Sequence, residues 1–153
     1  QVRLKDAIEN VLVLLEIEAI AIGASIDVTI EPNLPIIHGD AVQIEQVILN
    51  LIRNGLDAVA ELTGRHQITL RAIFVAPDTV EIEVCNTGPI IPEPVRAQLF
   101  RPFFSTKKEG LGMGLYIARM IVEAHGGTIE CASDVARTCF RIRLPTNASQ
   151  ATA

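Results

Sequence analysis

Apolar residues along this chain recur with two periods, and the alternation between those periods limits the fold more than any single motif. Leu4, Ile8, Val11, Leu12, Leu15, Ala19 and Ile22 follow near-helical spacing up to Gly23, a residue suited to the position after a helix end. Ser25–Glu31 then switches to strict alternation, with Ile26, Val28 and Ile30 set against Asp27, Thr29 and Glu31. A short strand at Ile36-Ile37 is expected next. Asp40 begins a second helix as its N-cap, with Gln43 placed to close a capping box and Ile44, Val47, Ile48, Leu51, Ile52 and Val59 as the buried stripe. Gln67–Val75 and Val80–Asn86 alternate again around Ala76-Pro77-Asp78, which predicts a hairpin. Gly114–His125 predicts a third long helix, stopped by Gly126-Gly127, and Thr128–Ala132 with Thr138–Leu144 a terminal antiparallel pair.

Helices interleaved with alternating strands place the chain in the α/β or α+β class. Aromatic residues make up only 4% and Trp is absent, so Ile, Val, Leu and Ala must fill the core. A length of 153 residues supports one such core, and a single domain over 1–146 with a disordered tail at 147–153 is expected.

The net charge of −5 opposes nucleic-acid binding through the phosphate backbone, which calls for a basic face. Cys85, Cys131 and Cys139 are odd in number and contain no Cys-x-x-Cys pair, so neither a disulfide framework nor a zinc site is predicted, and a reducing, cytosolic compartment fits best. No window reaches the roughly 18 uninterrupted apolar residues of a membrane span, so no membrane contact by this fragment is expected. The start at Gln1 rather than Met suggests a piece of something longer.

Two constellations carry chemistry. On the Asp40 helix, Asn50, Asn54, Asp57 and Glu61 recur every three or four residues, forming a polar stripe beside the apolar one. Such a stripe is ordinarily a solvated face, but an amide oxygen is a hard neutral donor suited to Mg²⁺ that keeps waters and nucleotide phosphates. The second constellation is Gly110-Leu-Gly112-Met-Gly114-Leu115, which opens a helix and follows Ser105-Thr106-Lys107-Lys108-Glu109. Glycines let backbone N–H groups approach phosphate oxygens, and the helix N-terminus adds partial positive charge. No Gly-Lys-Ser/Thr follows, as a P-loop requires, and no strand precedes, as a Rossmann turn requires. The stretch Thr87–Gly112 lacks periodicity, gathers four prolines, and shows one helix-sized piece near Pro94–Phe100, a pattern typical of functional loops.

Taken in order, these segments resemble the histidine-kinase branch of the Bergerat-fold (GHKL) ATPases over nearly the whole chain. Gln46-Val-Ile-Leu-Asn50-Leu-Ile-Arg-Asn54 is similar to the family's asparagine box, Phe100-Arg-Pro102-Phe103-Phe104 to its phenylalanine box, and Gly110–Gly114 to its second glycine box. The resemblance implies a two-layer sandwich: a mixed, mostly antiparallel sheet covered on one face by about three helices. It implies ATP and Mg²⁺ as cofactors, with Asn54 as metal ligand and Asn50 beside it. Ser105–Gly114 would be the lid over the nucleotide, with Lys107, Lys108, Gly110, Gly112, Gly114 and Leu115 near the phosphates. Thr138 falls where the family often has a Thr that contacts adenine.

The first glycine box departs from the family's Asp-x-Gly-x-Gly: it reads Asn86-Thr-Gly88-Pro-Ile90. An Asn oxygen still accepts a hydrogen bond from an adenine amino group but without the charge that strengthens it, so weaker ATP binding or altered base preference is expected. Ile90 disfavours positive φ and is expected to displace the loop or fill part of the pocket.

Related hydrolases carry Glu at the position of Asn50, and Asn cannot act as a general base, so transfer to a histidine is favoured over hydrolysis. None of His38, His66 and His125 has the setting of a phosphoacceptor, and His125 reads as a structural residue at a helix end. The resemblance therefore implies partners outside this chain: dimerisation helices bearing the acceptor His, and a response regulator. The alternative is a silent pseudokinase or nucleotide-sensing module, which Asn86 and Ile90 favour.

Overall fold

The structure, a computed structural model, describes residues 1–60, 62, 64, 66–104 and 113–146. Helix α1 spans Leu4–Ala21 and β1 Ser25–Ile30; α2 spans Ala41–Ala60, β2 Gln67–Val75 and β3 Thr79–Asn86. A single turn, α3, occupies Glu93–Arg96, followed by α4 at Gly114–Ala124, β4 at Thr128–Ser133 and β5 at Thr138–Pro145. The strands form one sheet in the order β1-β2-β3-β5-β4. Only β1 and β2 run parallel, joined across α2, and every other neighbouring pair is antiparallel. The expected two-layer architecture is therefore present, with element ends within about two residues of the sequence reading except α3, which is shorter than Pro94–Phe100. Ile37 makes an isolated bridge to Val2 instead of a strand.

Strand alternation sorts the side chains. Val80, Ile82, Val84, Phe140, Ile142 and Leu144 face the helices and are fully buried, as are Ile68, Leu70 and Ala72 of β2. Against them α2 lays Ile44, Val47, Ile48, Leu51, Ile52, Leu56 and Val59, each such burial contributing roughly 1.5–3 kcal/mol. Helices α1 and α4 pack on either side of α2, which makes α2 the central element of the helical layer.

Two details correct the sequence reading. Asp40 caps α2 as expected, accepting the Gln43 N–H on Oδ1 at 3.1 Å. The return half of the cap, however, comes from another element: the Asp40 N–H donates to Nε2 of His125 at 3.2 Å. Cys85 and Cys139, 54 residues apart, are bonded to one another as direct partners across β3 and β5. Their spacing carries no pairing signal, because only the antiparallel register brings them together. Cys131 is a free thiol.

Candidate functional site

Helix α2 presents Asn50 and Asn54 one turn apart, both half-buried. Asn50 donates from Nδ2 to the Gly114 carbonyl at 3.1 Å, tying the middle of α2 to the first residue of α4. That bond orients the amide, so Oδ1 turns away from Gly114. Two amide oxygens on one helical face, beside the root of the glycine run, are the hard donors that Mg²⁺ accepts.

The neighbouring floor is built where β3 and β5 end. Asn86 and Thr138 are register partners on the helix side, at 6% and 2% exposure. Buried polar groups need partners. Asn86 donates from Nδ2 to the Thr87 carbonyl at 2.9 Å. Thr138 Oγ1 shares a 2.7 Å hydrogen bond with Ser133 Oγ, and Ser133 Oγ also accepts the Ile91 N–H at 2.8 Å. The β4–β5 hairpin thereby holds the loop that carries Gly88 and Ile90. The loop's first residue extends the ladder: Thr87 N–H donates to the Gln67 carbonyl at 3.1 Å.

Gly55 permits the close approach of α2 to this floor. A Cβ there would lie 3.5 Å from Asn86 Cβ, 3.7 Å from its Oδ1 and 2.9 Å from Ile68 Cδ1. With Nδ2 committed to Thr87, Oδ1 is the atom that Asn86 turns toward α2. Gly88 adopts φ 151°, a conformation that favours glycine, and a Cβ there would meet Asn86 Nδ2 at 3.4 Å. Ile90 is 51% exposed, so much of its side chain faces solvent.

Beyond this loop, Phe100 packs edge-on against Phe140, with centroids 6.1 Å apart, anchoring the phenylalanine-box segment to the core. Phe103 sits at φ 64° and is 77% exposed. Leu115 is half-buried against the core. Glu61, Lys107, Lys108, Gly110 and Gly112 lie outside the described residues.

The structure thus brings Asn86, Gly88 and Thr138 together at the strand ends, and Asn50, Asn54 and Gly114 along α2 and the start of α4. Sequence reasoning missed Gly55 and Ser133. Gly55 had a signal, a glycine inside a strongly periodic helix, which usually marks close packing. Ser133 had none, since its hydroxyl matters only through the hairpin register.

Residues 39–148 match the family model described as histidine kinase-, DNA gyrase B- and HSP90-like ATPase. The chain is 39% identical over 146 residues to the sensor histidine kinase TmoS of Ectopseudomonas mendocina, covering 93% of this chain and 15% of that protein. It is 46% identical over 119 residues to the C4-dicarboxylate transport sensor protein DctS of Rhodobacter capsulatus, covering 76% of this chain and 18% of that protein. The chain therefore spans less than a fifth of the length of either relative. Among solved structures, the nucleotide-free catalytic domain of histidine kinase ThkA superposes with a TM-score of 0.84 at 31% identity, covering 95% of this chain and 93% of that one. ThkA in complex with the response regulator TrrA matches at a TM-score of 0.81 and 28% identity, covering 97% of this chain and 42% of that one. Among the described residues, no helix is long and apolar enough to cross a membrane.

Proposed function

The chain belongs to the histidine kinase-, DNA gyrase B- and HSP90-like ATPases, and from that premise we propose that it is the ATP-binding catalytic domain of a sensor histidine kinase, positioning Mg·ATP for phosphoryl transfer to a histidine on a separate dimerisation helix. The observation that carries this reading is the pairing of Asn86 with Thr138 beneath Gly55, next to the Asn50–Gly114 tether. One patch of polar atoms suits a base, and an adjoining patch suits phosphates.

In this reading Asn86 Oδ1 accepts a hydrogen bond from the adenine amino group, and the Thr138 hydroxyl, held by Ser133, contacts the base beside it. Gly88, with no side chain, lets the loop pass close to the Asn86 amide. Asn54, with Asn50 next to it, would hold the Mg²⁺ that neutralises phosphate charge during transfer. Backbone N–H groups at Gly112 and Gly114, and the lysines Lys107 and Lys108, would meet the phosphates. Asn50 offers no carboxylate to activate water, which leaves the nucleophile to come from another segment. A response regulator would then take the phosphoryl group.

The silent-module reading rests on Asn86, whose uncharged amide makes a weaker acceptor than the family's Asp. One assay separates the readings. The chain is mixed with γ-labelled ATP, Mg²⁺ and a dimerisation-helix fragment of a related kinase. Acid-labile, base-stable label on the fragment supports the kinase; bound nucleotide without transfer supports the silent module; steady release of free phosphate would overturn both.

A further inference from the structure

The sheet face turned away from the helices carries charged residues and one sulfur pair. Cys85 and Cys139 occupy opposite positions of β3 and β5 with Cα atoms 4.0 Å apart. The next pair along the same two strands, projecting to the other face, is Asn86 and Thr138. The crosslink is therefore one residue from the floor assigned above to the base.

The two cysteines are not equally buried. Cys85 is 3% exposed, whereas Cys139 is half-buried and flanked across β4 by Ala132, a small exposed residue. Cys139 is thus the less deeply buried residue of the pair, and the one we assign to the first exchange step. The third cysteine does not compete: Cys131 lies on the helix side, and burial pushes its thiol up to about 11 against the opposing pull of Arg96. Glu83 shares the cluster, its carboxylate lying within 4.8 Å of both sulfurs. With the sulfurs bonded to each other, the three do not make a ligand set for a metal.

We propose that Cys85 and Cys139 form a reversible oxidation site that tunes nucleotide binding: the crosslink holds the β3–β5 floor rigid, and its reduction loosens the floor and weakens affinity. The proposal rests on the reading of Asn86 and Thr138 as that floor. Formation needs a low-molecular-weight disulfide as oxidant. The Cys139 thiolate attacks one sulfur of that disulfide, expelling one thiolate and leaving a mixed disulfide. The Cys85 thiolate then attacks the Cys139 sulfur, closing the crosslink and expelling the second thiolate. Two electrons pass from the cysteines to the reagent, and the two thiol protons end on the released thiols. Excess thiol reverses both steps. The effect on binding follows from preorganisation, since a floor already ordered loses less freedom when the base docks.

The test equilibrates the chain in glutathione buffers from fully reduced to fully oxidised. Free thiols are then alkylated and the linked peptides mapped, and affinity for a fluorescent ATP analogue is measured at each poise. The expected result is a Cys85–Cys139 peptide at the oxidising end with Cys131 still free, and affinity roughly threefold or more tighter than at the reducing end. Cys139→Ser and Cys85→Ala should each bind like the reduced chain at every poise. Cysteines that stay fully alkylatable under oxidising buffer would overturn the proposal, and so would a crosslink that leaves affinity unchanged. A chain that binds nucleotide in no redox state would overturn the coupling together with the nucleotide reading, whereas poise-independent binding removes the coupling alone.

Discussion

Gly39 lies so close beneath the imidazole of His125 that a Cβ at position 39 would stand 2.6 Å from Nε2, with Cδ2 nearer still. The same ring accepts the Asp40 N–H on Nε2 and donates from Nδ1 to the Ile121 carbonyl at 2.8 Å. Its two nitrogens thus join the start of α2 to the last turn of α4.

Gly39→Ala should therefore destabilise the chain by about 1–3 kcal/mol, the usual range for forcing an extra methyl into a filled space. In a urea melt the midpoint falls while the slope holds. The same substitution made in a His125→Ala background should cost much less. If the two changes prove additive, the contact is not the cause.

Much of this molecule was legible from its sequence. The periods of α1, α2, α4 and all five strands follow from residues that must be buried on one side, and burial acts locally on each element. What was not legible depends on distant segments meeting. The partner of the Asp40 amide is 85 residues away at His125, where local capping rules pointed to Gln43. The Cys85–Cys139 bond and the Ser133 support of Thr138 depend on strand register, which no spacing in the chain encodes. The asparagines and Gly88 were visible as residue types; the orientation of their side chains was not.

His66 places both ring nitrogens against carbonyls, Nδ1 at 2.9 Å from Ile22 O and Nε2 at 2.6 Å from Leu62 O. Two carbonyls call for two N–H donors, so the imidazolium is favoured. The hydrogen bond to Leu62, then that to Ile22, raise the pKa above the ordinary 6.5 against a smaller opposing effect of desolvation. Because the folded-state value is raised, the stabilisation is fully present below the unfolded value and is lost as pH rises through the folded one. Stability measured by urea unfolding should decline as pH rises above the ordinary 6.5, and His66→Gln should flatten that decline. An unchanged slope in the variant would assign the pH dependence elsewhere.

Gly55→Ala sets two effects against each other. Alanine gains roughly 1 kcal/mol of helix propensity over glycine. The new Cβ would meet Ile68 Cδ1 at 2.9 Å, and that methyl sits at the flexible end of its side chain. The two effects should nearly cancel, leaving the melting temperature little changed. Asn86 is not so free to adjust, with Cβ 3.5 Å away and its amide committed to Thr87. Nucleotide affinity should therefore fall several-fold at almost constant stability. A loss of stability with affinity intact would place Gly55 in the core alone.

Asn86→Asp tests the base-facing half of the site. A carboxylate cannot donate to the Thr87 carbonyl, so the 2.9 Å bond becomes a contact between two acceptors in a buried place. Leaving that group unpaired costs about 1–3 kcal/mol, and the nucleotide-free variant should melt earlier. Bound adenine reverses the balance, because its amino group then meets a charged acceptor, and charge-assisted bonds are roughly twice as strong as neutral ones. ATP should bind tighter, by about tenfold for a gain near 1.4 kcal/mol, and should raise the melting temperature of the variant more than that of the parent. Guanine presents a carbonyl where adenine presents the amino group, so GTP should gain nothing and base discrimination should widen. If titration shows equal ATP affinity for variant and parent, Asn86 Oδ1 is not the adenine acceptor, and the base must be held chiefly from the Thr138 side.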